Sequence, residues 1–242
     1  MARLNSFYLP PDQWGEPFVL DGTEAGHLLR VLRAGPGETV RLFDGQGREG
    51  LFTLSRADKR RAWLDPREIT ERARPQGRPW LALGWNKAGR RDWLLEKAVE
   101  LRAGGLVFWR AERSQGDLPE APKPGWTATM VQAAKQCANP WLPEIRMAPG
   151  GWGELAALGS AFDRKALLWE SADGEALVGP ADLAAPGGCL AVLGPEGGLA
   201  AGEAQGLIQA GFAPVSLGPG VLRWETAALA VLCLAFWAGK TD

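Results

Sequence analysis

The chain has 242 residues, 46% of them hydrophobic, which supplies enough apolar content for a sizeable core and enough length for one or two domains. Its three cysteines (Cys137, Cys189, Cys233) follow neither metal-ligand nor redox spacing, and its single histidine, His27, leaves a His-ligated zinc site and His-dependent hydrolysis poorly supported. Net charge is −1, which argues against an indiscriminate nucleic-acid binder, yet residues 1–115 carry 20 Lys/Arg against 15 Asp/Glu and residues 116–242 carry 7 against 13.

That asymmetry fits an N-terminal half facing a polyanion, the alternative being an ordinary solvated basic face. Nothing at the start resembles a signal peptide and no apolar run is long enough to cross a bilayer, so a reduced, cytoplasmic setting without membrane or metal is expected. Twelve tryptophans point chiefly to core packing, although an exposed one could stack on a base.

Residues 1–72 read as a small β-rich domain. Asn5 to Leu9 is strand-like before Pro10-Pro11, and Thr23 is placed to cap a short helix carrying His27, Leu28, Val31 and Leu32. Arg30 and Arg33 lie three apart, which predicts one shared helix face and a reach to phosphate. Thr39 to Phe43 alternates as a strand, Asp44-Gly45-Gln46-Gly47 supplies turn chemistry, Arg48 to Leu54 returns, and Arg61 to Leu64 completes a small barrel.

A linker at 73–79 opens a second domain over 80–242. Trp80 to Gly84, a helix from Asp92 to Leu101, and Leu106 to Trp109 form a strand, helix, strand unit of α/β type. Residues 114–125 read as a mobile loop and Trp126 to Cys137 as a helix. Gly150 to Gly159 is expected to be loop plus a short helix. Ala166 to Trp169 is a further central strand, with Leu168 and Glu170 at the end where α/β sheets place ligands.

The last fifty residues hold two short apolar strands that each run into a glycine loop. Cys189 to Leu193 leads to Gly194-Pro195-Glu196-Gly197-Gly198, and Pro214 to Leu217 leads to Gly218-Pro219-Gly220. Neither spacing is that of a dinucleotide fingerprint or a nucleotide-triphosphate loop. Glycines there let a ligand approach bare backbone. Val221-Leu222-Arg223-Trp224-Glu225-Thr226 then precedes an apolar run, Ala227 to Ala238, which predicts a buried helix with Thr226 capping its first turn.

Gly194-Pro195-Glu196-Gly197-Gly198, Leu217-Gly218, Leu222-Arg223 and Glu225-Thr226-Ala227, taken as an ordered set, resemble the C-terminal signature of the RsmE family. His27 to Arg33 and Leu42-Phe43-Asp44-Gly45 are similar to its N-terminal domain. The resemblance implies an N-terminal PUA-like β-barrel followed by a SPOUT-type α/β domain with a C-terminal trefoil knot, a topology that periodicity alone would not suggest. It also implies a homodimer that uses S-adenosyl-L-methionine to methylate N3 of a uridine in 16S ribosomal RNA of the small ribosomal subunit.

By the same resemblance Leu168, Leu193, Gly194, Pro195, Glu196, Gly197, Gly198, Leu217, Gly218, Leu222, Arg223, Glu225 and Thr226 would bind the cofactor. Leu193 and Leu222 would sandwich its adenine. Arg223 would be catalytic, stabilising the uracil anion, and Glu196 would hold the loop or pair with Arg223. Arg30, Arg33, Lys87 and Arg113 would bind RNA. The chain departs from the family pattern at Gly220 and Asn139, where arginine is common, and at Trp224, where threonine is usual. A ribose 2′-O methyltransferase and a non-catalytic ribosome-assembly factor of the same fold are the alternatives.

Overall fold

Alternating burial along residues 39–43 and 48–57 builds the first of two sheets. The computed structural model describes residues 4–87, 89–169 and 177–239, and the chain divides into two units, residues 1–74 with 131–142, and residues 75–130 with 143–242.

In the first unit β1 (Ser6–Tyr8), β2 (Phe18–Leu20), β3 (Thr39–Phe43), β4 (Arg48–Ala57) and β5 (Ala62–Glu71) form one sheet in the order β1-β3-β4-β5-β2, with α1 (Gly22–Gly26) between β2 and β3. Only β1 and β3 run parallel. Phe7, Leu20, Val40, Leu42, Phe52 and Leu54 point into one core, and the Phe18 and Phe52 rings meet edge to face at 4.9 Å. Each such side chain contributes about 1.5–3 kcal/mol by leaving water.

The turn after β3 is closed by Asp44, a buried carboxylate that accepts the N–H groups of Gln46 (2.7 Å) and Arg48 (3.0 Å) and the Arg48 Nε–H (2.6 Å). Gly47 in this turn sits at φ 101°, where a Cβ would run into the Trp141 ring and the Arg72 carbonyl.

Three expectations for this unit change. Asp21, not Thr23, precedes the helix, and its carbonyl receives the Ala25 N–H. The helix continues as a π turn over His27–Val31 and the chain then enters the left-handed region at Arg33 (φ 55°), so Arg30 and Arg33 do not share a helix face. Strand β5 runs on to Glu71 through Pro66, which sits at a register shift opposite Phe52, where a missing N–H is tolerated.

The second unit is built on β6 (Trp80–Gly84), α2 (Arg91–Glu100), β7 (Gly105–Trp109), α3 (Pro124–Cys137), β8 (Glu144–Ala148), α4 (Trp152–Gly159), β9 (Arg164–Leu168), α5 (Pro180–Leu183), β10 (Cys189–Leu193), α6 (Ala201–Gln209), β11 (Ala213–Val215) and α7 (Trp224–Ala238). The last turns of α3, from Val131, belong to the first unit, where Lys135 pairs with Glu24 at 2.8 Å.

All six strands of this sheet are parallel, in the order β11-β9-β10-β6-β7-β8. Every residue of β7 and β10 is buried, as continuous apolar strands between helical layers require. Strand β10 is slotted between β9 and β6, so the chain reverses its direction of travel across the sheet there, the position at which open parallel sheets leave a crevice.

Helix α7 begins at Trp224 with Arg223 as its N-cap, which places Thr226 inside the first turn and corrects its assignment as the cap. The apolar run is also only half buried. Ala228, Val231, Leu232 and Ala235 face the core, while Cys233 and Trp237, the latter 66% accessible, face outward. Glu170 lies outside the described residues.

Candidate active site

Leu168, Leu193 and Val215 are the last residues of β9, β10 and β11, and the register sets Leu168 beside both of the others. The three chains therefore leave the sheet at one level. The segments that follow, Leu168–Trp169, Leu193–Leu199 and Val215–Leu222, enclose a pocket completed by Trp224 and Ala227 of α7.

Several residues fix these loops. Gly84 ends β6, and a Cβ on it would run into the Pro195 nitrogen, so only glycine lets the Gly194-Pro195 segment pass. Gly198 turns at φ 73° and donates its N–H to the Pro195 carbonyl at 2.9 Å. In the next loop Ser216 Oγ accepts the Gly218 N–H at 3.1 Å, and Gly218 adopts φ 120°. The Trp109 Nε1–H, fully buried at the end of β7, donates to the Leu193 carbonyl at 3.2 Å.

A second set of contacts ties the first glycine loop to the segment after β7. Glu203, in the first turn of α6 and 7% accessible, accepts the N–H of Ala200 (3.1 Å) and the N–H of Glu112 (2.9 Å). The next residue, Arg113, donates from Nη1 to the Gly197 carbonyl at 3.1 Å while the rest of the residue stays exposed. One buried carboxylate thus positions the guanidinium that grips the loop.

The pocket gathers nine of the residues expected at the cofactor site: Leu168, Leu193, Gly194, Pro195, Glu196, Gly198, Leu217, Gly218 and Leu222. Gly197 is exposed behind the loop. Arg223, Glu225 and Thr226 lie at the start of α7, off the pocket wall. Arg223 is exposed, and its carbonyl accepts the Ala227 N–H at 2.9 Å. Glu225 is buried and pairs with Arg90 Nε at 3.3 Å. No ion pair joins Glu196 to Arg223 among the described residues, so the expected pairing is absent and Glu196 stands exposed at the pocket.

Lys87 is exposed, with its stem against Gly116, and Arg113 flanks the loop. Arg30 and Arg33 are exposed on the other unit. Sequence reasoning missed Trp109, Ser216, Arg90 and Glu203. The signal for Glu203 was weak because an alanine, Ala200, occupies the N-cap position where Ser or Thr would have announced the motif. Asn139, where an arginine was expected, is buried, and its side-chain Oδ1 accepts the Trp141 N–H at 3.1 Å.

The wall chemistry suits a flat, cationic ligand. Leucines supply apolar faces, the glycine loops supply backbone N–H and C=O groups, and Glu196 is the one ionisable lining residue among those described. Among the described residues no lysine or arginine lines it to repel a positive charge. Trp224 adds an indole whose Nε1–H is buried without a partner among the described residues. Cys189, at the far end of β10, is pushed up to about 12 by burial and is an inert thiol. No cluster of three or more His, Cys, Asp or Glu side chains among the described residues could hold a metal ion, and no helix is long and apolar enough to cross a membrane.

Residues 73–235 match the family model described as RNA methyltransferase domain, and residues 20–66 match that described as RNA methyltransferase PUA domain. The chain belongs to the RNA methyltransferase family. Ribosomal RNA small subunit methyltransferase E of Mycobacterium bovis is 32% identical over 232 residues, covering 90% of this chain and 85% of that protein.

A crystal structure of a probable rRNA methyltransferase from Porphyromonas gingivalis superposes with a TM-score of 0.86 at 28% identity, covering 99% of this chain and all of the other. Ribosomal RNA small subunit methyltransferase E from Neisseria gonorrhoeae, whose structure holds S-adenosyl methionine, has a TM-score of 0.76 at 26% identity over 95% of each chain. The two units thus follow the PUA-like plus SPOUT-like plan of this RNA methyltransferase family.

Proposed function

We propose that the protein transfers a methyl group from S-adenosyl-L-methionine to N3 of a uridine in the 16S RNA of the small ribosomal subunit. The carrying observation is the pocket at the aligned ends of β9, β10 and β11, walled by leucines and glycine-loop backbone, with no cationic side chain among its described lining residues.

Leu193 and Leu222 would hold the adenine, with Leu168, Gly194, Pro195, Gly198, Leu217 and Gly218 around the rest of the donor. When bound, the donor supplies an electrophilic methyl on a sulfonium. The chain's part is alignment, since an in-line displacement gains most from holding the two reactants close and oriented. Arg223, exposed just outside the pocket, is assigned to orient the flipped-out uracil and to stabilise the anion left when the N3 proton departs, through two parallel N–H donors. Glu225, engaged with Arg90, keeps the start of α7 in place for that role.

Further parts of the reading rest on family membership and chain chemistry. Residues 1–72 form the RNA-gripping unit, 73–79 the linker and 80–242, apart from residues 131–142 that go with the first unit, the catalytic unit, whose C-terminal segment is threaded as a trefoil knot. Two copies pair through the outward face of α7, where Cys233 and Trp237 leave apolar surface uncovered. Arg30, Arg33, Lys87 and Arg113 meet RNA phosphate, and the enzyme works in the cytoplasm.

The test is to incubate the protein with S-adenosyl-L-methionine and small ribosomal subunits lacking the modification, then analyse nucleosides by mass spectrometry. A new 3-methyluridine that Arg223→Ala reduces about a hundredfold or more supports the reading. Methyl on ribose, or full activity of Arg223→Ala with normal cofactor affinity, contradicts it.

A further inference from the structure

The tip of the β4–β5 hairpin is a second, separate concentration of charge. Residues 55–61 are all exposed, and 56–61 hold four cations, Arg56, Lys59, Arg60 and Arg61, against one carboxylate, Asp58. That carboxylate is committed to the turn. Its Oδ1 accepts the N–H groups of Arg60 and Arg61, both at 2.7 Å, and the Asp58 N–H donates to the Arg61 carbonyl at 2.9 Å. These two backbone hydrogen bonds from Arg60 and Arg61 hold its carboxyl below the usual range, so it stays charged and keeps the turn shaped.

The side chains are arranged as well as concentrated. A register shift between Leu54 and Arg56 sets Arg56 opposite Trp63. The Arg56 guanidinium lies 4.1 Å from the centre of the Trp63 ring, and that of Arg61 lies 5.1 Å from the same ring. A ring that carries two guanidiniums limits their rotamer freedom and leaves N–H groups free to meet oxyanions. Among the described residues Arg56, Lys59 and Arg60 have no ion-pair partner, and Arg61 has only Asp58 at 3.6 Å.

We propose that this hairpin tip, Arg56, Lys59, Arg60 and Arg61 around Trp63, is a docking site for the phosphate backbone of the RNA substrate. The inference rests on the reading that the protein acts on RNA, and it places the main grip of the N-terminal unit on the hairpin rather than on Arg30 and Arg33. Contacts of this kind set register and affinity without reading sequence, and each phosphate neutralised releases counterions.

The test measures binding of a fluorescein-labelled stem–loop RNA of mixed sequence by anisotropy, from about 50 to about 200 mM KCl. It compares the full-length protein with Arg56→Gln/Arg60→Gln/Arg61→Gln and with Arg30→Gln/Arg33→Gln. The hairpin variant is expected to bind about tenfold or more weakly at low salt, with a log–log salt slope shallower by about 2, while its S-adenosyl-L-methionine affinity and unfolding midpoint match wild type. A hairpin variant with wild-type affinity and slope overturns the proposal, as does a salt dependence carried wholly by Arg30 and Arg33. A wild-type protein that binds the methyl donor but shows no salt-dependent RNA binding also overturns it. Failure of donor binding itself would strike instead at the proposed function.

Discussion

The indole N–H of Trp109 and the carbonyl of Leu193 meet at 3.2 Å in full burial, 84 residues apart in sequence. This hydrogen bond ties the last residue of β7 to the residue from which the first glycine loop departs, and so anchors the pocket floor to the neighbouring half of the sheet. Trp109→Phe keeps most of the apolar volume but removes the buried side-chain donor to this carbonyl. The expected cost is about 1–3 kcal/mol of unfolding free energy by urea denaturation, together with weaker donor binding. Unchanged stability and affinity would show that the anchor is dispensable.

Glu203 offers a sharper separation of structure from function. The two N–H groups of Glu112 and Ala200 are accepted by different carboxylate oxygens, so Glu203→Gln, with one acceptor oxygen, keeps one of these backbone hydrogen bonds, whereas Glu203→Ala removes both. Loss of charged hydrogen bonds of this kind costs about 1.5–3 kcal/mol each. Arg113→Ala removes only the grip on the Gly197 carbonyl, so its donor affinity should fall with little change in the unfolding midpoint. Calorimetry and thermal unfolding on the three variants check the order: Glu203→Ala worst in both, Glu203→Gln intermediate, Arg113→Ala affected in affinity alone.

Trp224 carries a buried indole N–H that has no partner among the described residues, a group that costs free energy in that setting. Trp224→Phe deletes that donor and keeps an aromatic ring against the pocket. Unliganded stability should stay level or rise, as read from the unfolding midpoint. A loss of about 2 kcal/mol or more would mean that the N–H is satisfied in solution.

Glu49 sets an acid limit on the first unit. Burial opposes its charge, but hydrogen bonds from Arg41 and Arg72 outweigh that and hold its carboxyl below the usual range. A lowered folded-state value means that the stabilisation is fully present above the unfolded value, near 4.3, and is lost as pH falls through the folded value. Unfolding midpoints measured from about pH 7 down to about pH 3 should drop in the acid limb, and Glu49→Gln should flatten that limb.

The sequence made some of this legible and hid the rest for identifiable reasons. Buried strands such as Cys189–Leu193 and Trp80–Gly84 announced themselves as apolar runs closed by glycine, and glycines at 194–198 and 218–220 marked both pocket loops. Phe18–Leu20 and Glu144–Ala148 did not, the first being three residues behind Pro17 and the second carrying charge at Glu144 and Arg146. The helix start at Trp224 was misread because Thr226 is the better capping residue, yet packing of the Trp224 and Glu225 side chains pulls the first turn three residues earlier. Contacts such as Trp109 to Leu193 and Glu203 to Glu112 join residues more than eighty apart, a relation to which no local pattern points.

The most direct test of the central claim is calorimetric titration with S-adenosyl-L-methionine of the wild-type protein and of Leu193→Asp. Leu193 forms the pocket wall at the end of β10, and circular dichroism with unfolding midpoints verifies that the variant remains folded; Leu222→Asp, on the more open wall, serves as a second variant. The account predicts one site per chain in the wild type and at least about a hundredfold weaker binding when a carboxylate is desolvated against the bound adenine. Wild-type affinity in a folded variant, or no binding by the wild type, would contradict the assignment of this pocket to the methyl donor.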